Sequence, residues 1–455
     1  MSMLFIITGS LAGLSILGFT VVSARERERR AALLTLAGGT AFLVAWFGLG
    51  GLFPQWTFPA VVALFAAVTM TLLLLLYPMG ENRLPGTDTI SAERVDERDI
   101  MFARARLKDG TPQHETYYGT LRPELAETDA ALRGMPDLGE PGGRFHNDKD
   151  AAYFESLFAY IERIHHLGDH PVPTRSTPLE ISPEEATRRV KALARHLGAL
   201  SVGIAPLRAH HVYSHVGRGQ GSWGEPITLD HTHVIVFTVE MTPALIRNAP
   251  MMPAIAESAT QYLRGTVIAA TVAGYCSRLG YRARAHVDGN YRIMVPAAAV
   301  DAGLGEIGRL GLLITPTHGP RVRLAAVTTD LPLAADRPRP FGAQDFCRIC
   351  RKCADCCPGR AIPHGDRQEV NGYLKWQCSQ EDCYRYWRRA GTDCGLCIAV
   401  CPYSKPATFY HDLVRQACTA NPLARQLAHR LDNVFYGRRP RHTDVPDWFE
   451  QPRGN

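Results

Sequence analysis

Three apolar stretches lead the chain, at about residues 3–23, 31–53 and 58–77. Each has the roughly twenty residues that a bilayer core requires. The charges among them form one cluster, Arg25-Glu26-Arg27-Glu28-Arg29-Arg30. Phe53, Trp56, Phe58 and Tyr77 stand where aromatic anchors meet a membrane interface. A cleaved signal peptide followed by buried helices needs a basic start, and Met1-Ser2-Met3 has none. The pattern predicts a three-helix membrane anchor over residues 1–78. Arginines between the first two spans place that loop in the cytoplasm, so the N-terminus lies outside and the chain after Tyr77 faces the cytoplasm. No twin-arginine signal is visible, which argues against export of a folded, loaded domain. The expected location is the cytoplasmic (inner) membrane, multi-pass.

The rest of the pattern is that of a soluble protein. Residues 79–180 are polar and interrupted by proline, an irregular region that wraps a core, with a helical patch at Ala151 to His166. Pro171-Val172-Pro173 and Pro178 mark its end. A helix follows, with Ser182 as N-cap, Pro183 in its first turn and Glu185 completing a capping box. Val190, Leu193, Ala194 and Leu197 form its apolar face, and Gly198 ends it. Apolar runs at Leu200 to Ala205, Val234 to Val239, Arg282 to Val287 and Arg323 to Thr328 read as strands. A long helix runs from Pro253 to Leu279 and stops at Gly280. Strands alternating with helices predict an α/β (α+β) core over 181–340. Periodicity then vanishes and cysteine takes over in a module at 341–405. The extension 406–455 reads as a helix plus an extended arm.

Composition adds constraints. Of 455 residues, 46% are hydrophobic and 21% charged, which excludes wholesale disorder. A net charge of +6 is too weak to indicate nucleic acid. Of the 12 cysteines all but Cys276 lie between Cys347 and Cys418, which points to metal rather than disulfides. The first run is Cys347-x2-Cys350-x2-Cys353-x3-Cys357-Pro358, the ferredoxin spacing for a [4Fe–4S] cluster. The second is Cys383-x10-Cys394-x2-Cys397-x3-Cys401-Pro402. Because the cysteine before proline reaches the other cluster, ligation crosses over: Cys347, Cys350, Cys353 and Cys401 hold one cluster, and Cys357, Cys383, Cys394 and Cys397 the other. Cys378 is an alternative to Cys383. Cys276, Cys356 and Cys418 read as buried or incidental thiols. Zinc sites favour widely separated Cys-x2–4-Cys pairs, which two Cys-Pro runs do not match.

Before the cysteines stand Ala302-Gly303-Leu304-Gly305-Glu306-Ile307-Gly308-Arg309, Ile314-Thr315-Pro316, Gly319-Pro320-Arg321-Val322-Arg323-Leu324 and Thr329-Asp330-Leu331-Pro332. Between the runs stand Leu374-Lys375-Trp376, Cys383-Tyr384 and Trp387, and upstream lies Val212-Tyr213-Ser214-His215. This order resembles the catalytic subunit of corrinoid-dependent reductive dehalogenases, over roughly residues 90–440. The resemblance implies a nitroreductase-like corrinoid-binding core beside a ferredoxin-like 2x[4Fe–4S] module, with one cluster next to the corrinoid. It implies a cobamide without a lower ligand from the protein. In agreement, no Asp-x-His-x2-Gly motif occurs, since Asp230-His231-Thr232-His233 does not fit it. Members commonly carry a twin-arginine signal and pair with a separate small anchor, whereas three fused spans stand here. Glu26-Arg27-Glu28 is similar to the Glu-x-Glu of those anchors.

The implied reaction replaces carbon–halogen by carbon–hydrogen in a small organohalide. The resemblance assigns the proton donor to Tyr262 and the assisting cation to Arg321, with Arg309 and Arg323 as neighbouring candidates and Tyr213 as the second donor candidate. Asn290 is expected to orient substrate or halide. Gly303, Gly305 and Gly308 match Gly-x-Gly-x2-Gly, but no apolar strand leads into them. Gly303 and Gly305 are read instead as close backbone approach to the corrinoid, with Arg309, Arg323 and Tyr213 also assigned to cofactor binding. Trp376, Tyr384 and Trp387 are expected to line a substrate pocket or pack as core. Electrons come from a separate donor: ferredoxin, flavodoxin or a membrane quinol system. Two rivals stand beside this reading. One is an epoxyqueuosine reductase-like corrinoid enzyme acting on transfer RNA; the other is a membrane-anchored two-cluster electron-transfer subunit without corrinoid.

Overall fold

The computed structural model describes residues 3–77, 79, 93–169, 175, 177–371, 373–440 and 445–449. The Pro171-Val172-Pro173 boundary lies outside the described residues. Two compact units form, one from residues 1–82 and 407–439, the other from 83–406 and 440–455.

The first unit begins with α1 (Met3–Arg25), α2 (Arg29–Leu52) and α3 (Thr57–Leu76). All three are long and apolar enough to cross a membrane. The charged cluster makes the tight α1–α2 turn, where Glu28 N–H donates to the Ser23 carbonyl at 2.8 Å and Arg27 takes φ 60°. Small residues let these two helices approach closely. A Cβ on Gly9 would strike Trp46, and one on Gly39 would strike Ile16. Phe5 stacks on Trp46 at 4.5 Å, and the Thr20 hydroxyl donates to Thr35 Oγ1 at 2.9 Å. The tail has two helices where one was expected: α6 (Phe409–Ala420) and α7 (Pro422–Tyr436) form a helical hairpin within this unit, and the described residues beyond them are irregular.

The second unit is built on a four-stranded sheet. Its strands are β1 (Ser201–Pro206), β2 (His233–Glu240), β3 (Ala283–His286) and β4 (Val322–Thr329), in the order β1-β2-β4-β3. Every pairing is antiparallel, with Val239 opposite Arg323 and Ala285 opposite Val327. Alternation of strands and helices predicted a mixed core, and the sheet at its centre is antiparallel throughout. Period-two side chains then explain the unbroken apolar runs. Ile235, Phe237 and Val239 face α4 (Pro183–His196) and α5 (Met252–Arg278), while Val234 and Val236 face the helix Val295–Asp301. Both faces are covered, so neither needs polar residues. Ser182 caps α4 through Glu185 N–H at 3.2 Å, while the Glu185 carboxylate turns to Arg189 rather than back to the cap. Gly198 and Gly280 end their helices at φ +105° and +99°.

Candidate active site

Tyr262 projects from the middle of α5. The guanidinium of Arg323, on β4, lies 4.8 Å from its ring centroid. Arg323 is itself held by Asp393 Oδ2 at 2.9 Å and by the Ser258 hydroxyl, one turn before Tyr262. Asp288 and Tyr291 lie nearby on the turn that leaves β3, where Gly289 takes φ +74° and Asn290 N–H donates to the Val287 carbonyl at 3.0 Å. Tyr213 and Arg218 come from the loop after β1. Glu97, fully buried, steadies that loop by accepting from Gly217 N–H at 2.9 Å and pairing with Arg218 at 3.3 Å.

These groups share an unusual environment. Tyr213, Tyr262, Asp288, Tyr291 and Arg323 lie deep in the unit, yet each keeps accessible surface. The hydroxyls of Tyr262 and Tyr291 meet no hydrogen-bond partner among the described residues. Deep polar groups that keep accessible surface are the kind that a cofactor or a small substrate can reach. Burial raises the Tyr262 phenol above its ordinary range, and Arg323 opposes that rise. Burial pushes Tyr213 up to about 12 and also raises Tyr291 well above the ordinary phenol range. Asp288 is also raised by burial, against the pull of Arg218, Arg106 and Arg323.

The other expected site residues lie elsewhere. Arg321 is 1% exposed and points away from Tyr262: its Nε donates to the Ser404 carbonyl at 2.9 Å, and its Nη1 donates to Glu240 at 2.7 Å and to the Met241 carbonyl. The cation beside Tyr262 is therefore Arg323. Asn290 donates to Asp169 Oδ2 at 2.8 Å and accepts from Arg284 at 2.9 Å, so its amide shapes the turn instead of facing substrate. Arg309 ties loops together, donating to the Cys347, Pro363 and Gly365 carbonyls at 3.1, 2.7 and 2.8 Å with its plane 4.6 Å from Trp376. Its charge adjoins Cys353, Cys347 and Cys350. At Gly303 and Gly305 it is protein backbone that approaches the position of a side chain. Added Cβ atoms would fall 2.4 Å from the Arg337 carbonyl oxygen and 2.2 Å from that of Ile314. Trp376 is enclosed between Arg309 and Arg367, and Tyr384 packs with Trp387, Phe102 and Leu132. These aromatics are core.

The thiols sort into two groups. Cys353 has Cys347, Cys401 and Cys350 among its neighbours, with Cys397 of the other group also near, while Cys394 has Cys383 and Cys357, and Cys397 has Cys394, Cys383, Cys357 and Cys378. Cys378 donates to the Arg309 carbonyl at 3.5 Å and neighbours Cys357, Cys383 and Cys397, so it stays an alternative to Cys383. Burial pushes Cys347, Cys383 and Cys394 up to about 12, so thiolates there need a strongly cationic partner. Iron ligation supplies one, and the donor set fits two cubes. Asp393, partner of Arg323, immediately precedes Cys394 of the second quartet.

One cluster escaped the sequence reading. His210, His211 and Asp301 bring potential ligand atoms within 4.8 Å of one another. Arg208 N–H donates to His211 Nδ1 at 3.2 Å, so the His211 proton sits on Nε2 and faces Asp301 Oδ2 at 3.0 Å. Burial raises the Asp301 carboxyl, but the histidine contacts outweigh it and hold the group low. The trio is a clamp between the loop after β1 and the helix Val295–Asp301. No single-sequence spacing announces it, because ninety positions separate the partners.

Comparison with known proteins bears on this geometry. The profile for a 4Fe-4S dicluster domain matches residues 346–405. A tetrachloroethene reductive dehalogenase of Desulfitobacterium hafniense is 36% identical over 301 residues, covering 56% of this chain and 54% of that protein. One from Sulfurospirillum multivorans is 33% identical over 308 residues, covering 60% and 61%. The chain thus spans about half the length of the curated relatives it matches. Among solved structures, the catabolic reductive dehalogenase NpRdhA in complex with 3-bromo-4-hydroxybenzoic acid aligns with TM-score 0.64 and 26% identity, over 83% of this chain and 53% of that one. Sequence, fold and dicluster module are thus similar to those of reductive dehalogenases, and three long apolar helices precede the matched region.

Proposed function

We propose that the chain is a membrane-anchored reductive dehalogenase. It replaces the halogen of a small organohalide by hydrogen, taking up two electrons and one proton and releasing halide. The observation that carries this reading is the Tyr262–Arg323 pair, whose arginine is held by Asp393, the residue before Cys394 of the second cysteine run. Cys347, Cys350, Cys353 and Cys401 would hold one [4Fe–4S] cluster, and Cys357, Cys383, Cys394 and Cys397 the cluster nearer that pair. A cobamide seated against the walls formed by Tyr213, Tyr262 and Tyr291 would supply the carbon–halogen cleavage.

The chain's own residues do the rest. Tyr262 stays protonated at neutral pH because burial raises its phenol, so it holds a proton ready for the reacting carbon. Once that proton leaves, Arg323 stabilises the phenolate from the ring face. Asp393 and Ser258 keep Arg323 in place, and Asn290 fixes the turn that presents Asp288 and Tyr291. Packed walls exclude bulk water, which directs proton delivery to the tyrosine. The arginines of the first turn favour a cytoplasmic orientation of the catalytic unit in the inner membrane. Ferredoxin, flavodoxin or membrane quinol serves as the separate electron donor.

The test is anaerobic purification of the whole protein with iron and cobalt analysis, followed by halide release under a low-potential reductant. Expected are about eight irons and one cobalt per chain, with halide formed in step with dehalogenated product. Iron without cobalt after supply of cobamide would reduce the protein to an electron relay.

A further inference from the structure

A soluble amphipathic helix turns its charges outward. The hairpin α6–α7 does the reverse. On α6 the buried positions are His411, Arg415 and Cys418, while Phe409, Leu413 and Val414 are exposed, beside the polar Asp412, which pairs with Arg415 at 2.7 Å, and Gln416. On α7 the buried positions include Arg425 and Asp432, while Leu423, Leu427, Leu431 and Val434 are exposed. The exposed residues of α7 recur at four, four and three positions, one continuous stripe. Phe409 is 74% exposed and Leu423 54%, values that water penalises along a whole helix face.

The polar side is enclosed against the anchor. His411 Nε2 lies 3.0 Å from Glu26 Oε2, with both side chains buried. Arg425 donates to the Cys418 and Thr419 carbonyls at 2.8 and 3.0 Å. The Asn421 amide donates to the carbonyls of Leu74 and Tyr77, closing the end of α3. Tyr410 reaches furthest: its hydroxyl donates to the Ser15 carbonyl at 2.9 Å, in the space left by Gly18, and its ring meets Phe19. Ser15 lies ten residues before the end of α1, about 15 Å along the helix axis. A side chain bonded there sits at the depth of the span itself.

We propose that α6–α7 is a membrane element in its own right, its Phe409–Leu413 and Leu423–Val434 faces lying in the acyl and headgroup zone of the bilayer crossed by α1–α3. Two observations carry this: the inside-out polarity, and the continuity of the hairpin with the spans at Ser15, Phe19 and Leu74. Arg430, beside the stripe, extends to the headgroups. The occupant of the face is lipid, not a protein partner.

The experiment uses the intact protein in nanodiscs of phosphatidylethanolamine and phosphatidylglycerol. One lipid carries a photoreactive diazirine near the top of its acyl chain, and labelled peptides are mapped by mass spectrometry. Peptides covering 409–434 should label within about threefold of the α1–α3 peptides and at least about tenfold above those of β1–β4. Labelling of α1–α3 with the hairpin at the β-sheet background would overturn the proposal. So would crosslinking of the hairpin to a second copy or another protein in place of lipid. No substitution is needed, so misfolding of a variant does not enter.

Discussion

Two sets of polar side chains in the second unit behave differently, though some of their members stand within a few residues of each other. Tyr262, Asp288, Tyr291 and Arg323 lie deep yet keep accessible surface. Arg321, Arg309 and Asn290 are fully enclosed and bonded to carbonyls and carboxylates of the protein. Arg321 and Arg323 stand two residues apart, so proximity in sequence to a motif does not separate the sets. Accessible surface does: a group that a small molecule can reach is one the fold has left partly uncovered.

That contrast can be broken by substitution, and the effects should rank. Tyr262→Phe removes one oxygen and should lower turnover about 100- to 10,000-fold, the range of a lost general acid, with iron, cobalt and melting temperature unchanged. Halide release with a low-potential donor reads it; wild-type rates would move the proton donor to Tyr213 or Tyr291. Arg323→Gln should lower turnover about 10- to 100-fold. Its sign in pH follows from the cation: Arg323 holds Tyr262 down, so its loss lets burial raise the phenol further. The alkaline limb of the rate profile should move to higher pH, and a limb that stays put would remove Arg323 from the role. Arg321→Met belongs to the satisfied set. It should cost about 2–4 kcal/mol of stability by orphaning its acceptors, while turnover per loaded enzyme changes by about twofold at most. Thermal melts beside rates separate the two readouts, and a large rate loss in a stable variant would restore the assignment that spacing first suggested.

Much of the architecture was legible in single positions. Ser182, Gly198 and Gly280 mark helix ends because their chemistry is local, and the cysteine runs name their ligands because clusters demand fixed spacing. What failed was non-local. The antiparallel sheet order depends on pairings across ninety residues, as between β2 and β4. Whether Arg321 or Arg323 meets Tyr262 depends on where β4 begins, since Arg321 precedes the strand and bends to Ser404. Gly303 and Gly305 signalled close approach correctly but not what approaches. The tail's second helix was missed, and which of its residues are buried is set by packing rather than by local pattern.

Asp393 sits between Thr392, whose hydroxyl donates to the Pro250 carbonyl at 2.6 Å, and Cys394. One short loop thus presents a thiol to the second quartet and a carboxylate to the arginine above Tyr262. In the function proposed, redox and proton delivery would share this one hinge point, and damage at the second quartet would displace Arg323 as well as cut the electron supply.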